Sequence, residues 1–334
     1  MKIRILFLTI LLPALFLTAC FKEDDMIEPH PRGNVITDTI ALTDNYRYQV
    51  YFDLDSAVVV RSNVKTIFDL GFECTPPGAK IILNTSNFMK VADLGEVQFG
   101  IGYDTVGLKW KFDKSDGNPD SNAIGQWYKV AGSDTVSANH VYAVDRGLDE
   151  NGNPLGLYQV IFDNLSNGSF FFRYAPLKGG TTVSAKVPRD KTVSYIYYSL
   201  ANGSVEYIEP PKNDFDLLFT QYTTLLFTNE GIPYPYLVTG VLLNRHLVVA
   251  SRDTVHEFTS IDREIAITAS YTGALDVIGY NWKHYDFNSG AYTVNPAYSY
   301  LIRSAGGYFY KLRFIGFYNS VGQKGYPVIE YQRL

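Results

Sequence analysis

Residues Glu209–Asn244 read EPPKNDFDLLFTQYTTLLFTNEGIPYPYLVTGVLLN, and this stretch decides the fold class. Pro210 and Pro211 block a helix and force an extended approach. Phe215, Leu217 and Phe219 then alternate with Asp216 and Leu218, and Thr220, Tyr222, Thr223 and Thr224 continue the run. β-Branched and aromatic residues in alternation predict a strand of a well-packed sheet. Asn229, Gly231, Pro233 and Pro235 mark a turn, and Tyr236–Leu243 reads as the return strand.

The rest of the chain has the same character. Tyr 26 and Phe 21 against Met 3, over 334 residues, is an aromatic-rich balance typical of β-proteins, and the length allows two ordinary domains. Short alternating runs separated by Gly, Pro, Asn and Asp predict strands at Tyr46–Leu54, Ala57–Arg61, Ile67–Phe72 and Lys80–Asn84. Gln98–Tyr103 and Gly107–Phe112 look like a pair. His140–Arg146, Leu157–Asp163 and Ser169–Ala175 follow, joined by strong turn sequences. Further strands are expected at Ser194–Leu200, Val205–Ile208, Val255–Phe258, Ile265–Tyr271, Ile278–Trp282, Tyr298–Arg303, Tyr308–Phe317 and Pro327–Tyr331. Asp113–Asn122 (DKSDGNPDSN) reads as an exposed polar loop. It lacks the closing bidentate Glu of a calcium loop. No dozen-residue segment has a helical apolar period, so the expected class is all-β.

The opening hairpin has an echo upstream. Phe68-Asp69-Leu70-Gly71-Phe72 parallels Phe215-Asp216-Leu217-Leu218-Phe219, and Lys80–Asn84 parallels Val241–Asn244. Ile124–Trp127 parallels Ile278–Trp282, Val141–Gly147 parallels Ser299–Gly306, Tyr158–Phe162 parallels Tyr310–Phe314, and Phe172–Tyr174 parallels Ile329–Tyr331. The order is kept and the offset stays at about 150 residues. The expectation is two tandem, mostly antiparallel β-domains, 45–180 and 190–334, with a boundary in the Gly-, Lys- and Thr-rich Lys178–Thr192.

The N-terminus is an address. Lys2 and Arg4 precede the apolar Ile5–Phe16, which is too short to span a bilayer comfortably. Leu17-Thr18-Ala19-Cys20 resembles a bacterial lipobox, so residues 1–19 are expected to be removed and Cys20 to be lipidated. Acyl chains contribute roughly 0.8 kcal/mol per buried CH₂ and would anchor the chain firmly. Phe21-Lys22-Glu23-Asp24-Asp25 resembles the export signal of surface lipoproteins. The expected location is therefore the outer face of the outer membrane. Residues 20–44 then read as lipidated N-terminus and tether. With Cys20 used for lipid, only Cys74 remains, which excludes an intrachain disulfide and any multi-cysteine metal site. A net charge of −5 gives the whole chain no electrostatic reason to bind nucleic acid.

No nucleophile elbow, P-loop, H-E-x-x-H or dinucleotide glycine motif occurs, and the expectation is a protein that is not an enzyme. The paired carboxylates Asp214 and Asp216 lie on a strand with no sign of burial.

Three segments carry a family likeness. They are Asp214–Phe219 (DFDLLF), Trp282, and the ending from Tyr300, YLIRSAGGYFYKLRFIGFYNSVGQKGY. Together they resemble the HmuY family of haem-binding surface lipoproteins, well over 190–334 and weakly over the first copy. The resemblance implies an antiparallel β-fold, haem or a related tetrapyrrole as ligand, and delivery to an outer-membrane receptor. It also implies two axial histidines about thirty residues apart, flanking a Trp. Here these are His256 and His284, the metal candidates. An ungapped alignment puts Phe287 at the second ligand position, and a small shift in Tyr285–Tyr292 brings His284 there. Tyr280, Tyr285 and Phe287 would form apolar walls for the porphyrin. His246 is a spare donor, His140 lies late in the first copy, and His30 falls in the tether. At most one haem per chain is expected, with the first domain a spacer or partner surface. The other reading is a β-scaffold without haem that displays tyrosines (Tyr292, Tyr298, Tyr318, Tyr326) to glycan or protein partners.

Overall fold

The computed structural model describes residues 33–131 and 134–334. The signal segment, Cys20 and most of the expected tether lie outside the described residues.

Strands dominate, in two series. The first is β1 (Ile36–Thr39), β2 (Tyr48–Asp53), β3 (Val58–Val64), β4 (Leu70–Glu73), β5 (Ile81–Leu83) and β6 (Lys90–Gly95), then β7 (Tyr128–Ala131), β8 (Asp134–Ser137), β9 (Val141–Asp145), β10 (Leu157–Ser166) and β11 (Ser169–Pro176). The second is β12 (Val183–Pro188), β13 (Tyr195–Ser199), β14 (Ser204–Glu206), β15 (Leu217–Phe227), β16 (Pro233–Leu243) and β17 (Val249–Asp253), then β18 (Lys283–Asp286), β19 (Ala291–Val294), β20 (Ser299–Arg303), β21 (Phe309–Tyr318) and β22 (Lys324–Arg333). One short helix, α1 (Arg263–Thr268), follows β17. The fold is all-β, and every strand pairing is antiparallel.

The pairings cross between the series. β1 lies beside β22 in a five-stranded sheet, β1-β22-β21-β20-β17. Its counterpart joins β12 to β11, then β10, β9 and β6. β2 pairs with β15, and β13 pairs with β4. The first three strands of each series therefore complete the sheets of the other.

The cores follow the pairings. One gathers Leu70, Phe72, Trp127, Phe162 and Phe172 with Ala185, Val187, Ile196 and Tyr198. The other gathers Ile40, Leu42, Val50, Phe52 and Leu54 with Leu217, Phe219, Trp282, Leu312 and Tyr331. They do not divide at 45–180 and 190–334. The supposed boundary Lys178–Thr192 contains β12, which closes a sheet, and Arg32–Leu334 forms one compact unit. The tether reading also fails from residue 36 onward, because β1 is paired and Ile40 and Leu42 are buried.

The echoed residues occupy matching roles. Asp69 accepts from the backbone N–H of Leu200 at 2.7 Å, just past β13. Asp216 accepts from Leu54 N–H at 2.8 Å, just past β2. Both aspartates are fully buried, so the expectation of an unburied Asp216 is overturned. Asn84 Nδ2 donates to the carbonyls of Lys65 and Phe68 at 2.7 and 2.8 Å. Asn244 Nδ2 donates to Lys212 and Phe215 at 2.6 and 2.8 Å. Each amide thus ties down the turn before an aspartate strand. Asn84→Ala or Asn244→Ala is expected to cost about 1–3 kcal/mol, because buried carbonyls lose their donor. Urea unfolding at neutral pH reads this directly; a midpoint unchanged in both variants would refute the shared role.

Five expected strands are not formed. Residues 98–112 form an irregular loop, in which Gly100 and Gly107 adopt positive φ (93° and 74°) and break the alternation. Val255–Phe258 is a series of bends, and Ile265–Tyr271 is largely the short helix, capped by the Asp262 carboxylate accepting from Ile265 N–H at 3.0 Å. Ile278–Trp282 is turn, placing Trp282 in the core with its ring stacked on Phe314 at 3.9 Å between centroids.

Candidate functional site

Two of the predicted donors lie at one end of the five-stranded sheet. β17 leaves that sheet at Asp253, paired with Ser299, where β20 begins. The β18–β19 hairpin feeds into Ser299 through Asn295–Tyr298, and Arg252 lies over the Tyr298 ring at 4.9 Å. His256 stands on the loop after β17. His284 stands on the hairpin.

His256 is held by one residue. The Asp253 carboxylate accepts from the backbone N–H groups of Val255 and His256 at 2.8 and 2.9 Å. Its other oxygen lies 2.8 Å from His256 Nδ1. Burial raises the affinity of Asp253 for a proton, but these hydrogen bonds outweigh it and hold the carboxyl below its usual range. The ring is exposed, and its Nε2 has no protein partner among the described residues. A carboxylate on Nδ1 fixes the tautomer and raises the basicity of the other nitrogen, which suits metal ligation. The spacing Asp253-x-x-His256 is the sequence signal that marks this pair.

His284 pairs across the hairpin with Thr293, and its Nε2 lies 3.1 Å from the Thr293 hydroxyl. Tyr285 packs edge-on against Phe287 at 5.2 Å and Tyr292 at 5.1 Å. Phe287 is 90% exposed. Tyr280 sits apart on the turn before Trp282, half-buried, and burial raises its pKa. Lys283 anchors the hairpin. Its amine donates to the Thr239 carbonyl and lies 4.3 Å from the Trp282 ring and 4.8 Å from that of Phe317. Burial pulls it down to about 7.

The structure thus brings Tyr285 and Phe287 into contact on the hairpin that bears His284. His256 is on a separate loop whose Phe258 packs on Lys311 and Arg313, the face of β21 opposite the one that Trp282 covers through Phe314. Neither histidine lines the three main cavities. Two of these, about 500 and 550 Å³, flank residues 113–117. His246 borders the first. The loop expected to be exposed is a wall of both cavities, with Asp113 buried and accepting from Leu83 and Ala123 N–H groups at 2.6 and 2.7 Å. Among the described residues no cluster of three metal-ligating side chains occurs.

Comparison with known proteins places the C-terminal part. Residues 190–331 match the family model described as HmuY protein. This stretch is similar to the HmuY family. It contains β13 to β21 and most of β22, with both candidate histidines. Solved structures to which the chain is similar include apo PinO from Porphyromonas gingivitis, at 10% identity, covering 90% of this chain and 97% of that one, TM-score 0.30. An apo HmuY analog from Tannerella forsythia has 10% identity, coverages of 91% and 98%, and TM-score 0.26. A Bacteroides vulgatus protein described as HmuY-like and heme binding has 14% identity, coverages of 52% and 90%, and TM-score 0.18. No curated protein sequence matches the chain. The HmuY match begins after β12 and excludes β1 to β3, although those three strands complete the sheets of the HmuY-like region.

Proposed function

We propose that this chain is a cell-surface lipoprotein that binds haem, or a related tetrapyrrole, and passes it to an outer-membrane transporter. The observation that carries the reading is His256 within the HmuY-like region: an exposed imidazole whose Nδ1 is committed to Asp253 and whose Nε2 is free. That donor fits haem iron, which takes axial imidazole nitrogen. His256 would supply Nε2. His284 would supply Nδ1, or Nε2 once the Thr293 contact is released. Tyr285 and Phe287 would cover a porphyrin face, and Tyr280 a margin of it. The bound group would supply the iron, and the protein only holds and orients it. The role is binding and transfer, without catalysis.

The anchor proposed at Cys20 is compatible with this use. Gly33 bonds to Arg333, at the end of the five-stranded sheet opposite Asp253 and Ser299.

The test is an absorbance titration of residues 26–334 with haemin. A saturable Soret shift is expected, weakened at least tenfold in His256→Ala. A spectrum that stays that of free haemin sinks the proposal. In that event the second reading gains, a lipid-tethered β-scaffold for glycan or protein partners. The side chains that favour it are Phe227, Tyr236 and Phe287, 65%, 53% and 90% exposed on two hairpins.

A further inference from the structure

A cavity lies between the two series of strands. The cavity of about 500 Å³ is walled by β4–β5, by the loop 113–119, and by β16 with the turn after it. Its floor is apolar: Leu83, Tyr195, Tyr222 and Leu275 are buried there, with Leu242 half-buried. This volume lies within the range of small-molecule sites.

The loop that forms one wall is clasped firmly. Leu275 N–H donates to the Asp116 carbonyl at 3.0 Å, and Arg245 Nη1 donates to the Gly117 carbonyl at 3.2 Å. Ser115 Oγ donates to Asp276 at 2.5 Å. The space is therefore built by bonds from both series of strands.

Its charges are unequal in their commitments. The carboxylates are occupied by backbone donors. Glu73 accepts from Lys80 N–H, Asp113 from Leu83 and Ala123 N–H, and Asp116 from Asn118 N–H. Arg245 lies within electrostatic reach of the buried Asp113 and Glu209, whereas Lys80 and Lys114 have no carboxylate within ion-pair distance among the described residues. Lys80 donates to the Pro119 carbonyl at 3.2 Å, Arg245 lies over the Tyr195 ring at 5.0 Å, and Lys114 is exposed. None of the three forms an ion pair among the described residues. His246 adds a further nitrogen donor at the rim.

We infer that this cavity is a binding site for a small organic anion with an apolar body, its acid group held by Lys80, Lys114 and Arg245 and its body on Tyr195, Tyr222, Leu242 and Leu275. An uncharged apolar molecule would leave Lys80 and Lys114 without a counter-charge, and a bare inorganic anion would leave the apolar floor uncovered. The site is separate from the His256 end of the sheet and does not depend on haem.

The probe is 8-anilinonaphthalene-1-sulfonate, titrated into residues 26–334 and read by fluorescence. One saturable site is expected. Lys80→Glu and Lys114→Glu should each weaken it about tenfold, since reversing one nearby charge in a half-buried site alters the energy by about 1.4 kcal/mol or more. Lys178→Glu, away from the cavity, should not. Ala274→Trp, which fills the space, should abolish it while the thermal melt stays cooperative. Decanoate should displace the probe and decanol should not. Loss of haemin binding in His256→Ala with this site intact would keep the two readings apart. Probe binding that ignores both charge reversals and Ala274→Trp, or displacement by decanol as well as by decanoate, would overturn the inference.

Discussion

Deleting residues 33–64 is expected to leave the C-terminal half of the chain unable to fold. In sequence these residues precede the HmuY-like region by more than a hundred positions. In space they supply β1, β2 and β3 to its sheets. Ile40, Leu42, Val50, Phe52 and Leu54 are all 3% exposed or less in its core. Burying each contributes about 1.5–3 kcal/mol, so their joint loss is on the order of 10 kcal/mol. That matches the whole stability of an ordinary domain, about 5–15 kcal/mol. Two further losses follow. β15 loses its partner β2, and Asp216 loses the Leu54 N–H bond. Trp282 reports the result, because it is fully buried in the intact fold. Its emission should shift to that of solvated indole, with no cooperative melt of the C-terminal half. A separately added 33–64 segment should restore both. A truncated chain that still melts cooperatively near the temperature of the full one would refute the exchange of strands.

The strands themselves were legible because alternation is local. Phe215, Leu217 and Phe219 announce a buried face without reference to anything else. Their partner was not legible. Alternation states that a segment is a strand and is silent on which strand it meets, so Tyr48–Asp53 read as the start of its own domain although it pairs with β15. The burial of Asp216 was hidden for the same reason. Its donors, Leu54 and Ala305, lie 162 and 89 residues away in the chain. In Ile265–Tyr271, β-branched residues argued for a strand, and an N-cap from Asp262 with the burial of Ala266 prevailed. At the candidate site His256 could be read, and Asp253 three residues earlier was available but unread. The cavity between the cores could not be read at all. Its walls come from Glu73 to Leu275, and no local pattern joins them.

The two matching aspartates make opposed electrostatic bargains, and pH separates them. Asp69 has a cation: Arg146 Nε donates to it at 2.7 Å, and the guanidinium works against the burial that raises its pKa. Asp216 has none within salt-bridge distance among the described residues, only the N–H groups of Leu54 and Ala305. Burial pushes its carboxyl up to about 7, and the carboxylates of Asp53 and Asp55 add to the rise. The sign then follows from linkage. The folded state keeps a proton that the unfolded chain releases near pH 4. The stability tied to that proton is complete below pH 4 and is lost as the pH climbs through about 7. A shift of this size corresponds to at most about 4 kcal/mol. Asp113, raised to about 6 by burial, contributes with the same sign. Urea unfolding between pH 5 and 7, below the range where the depressed Lys283 contributes with the opposite sign, should therefore show stability falling as pH rises. Asp216→Asn should flatten that slope, whatever constant offset the amide introduces by presenting an N–H₂ group to one of the two donors. Asp69→Asn should change the slope less, because the arginine already favours the ionised form there. An Asp216→Asn protein whose slope matches that of the parent would mean that the strand exchanged into this lobe meets an ordinary, ionised carboxylate.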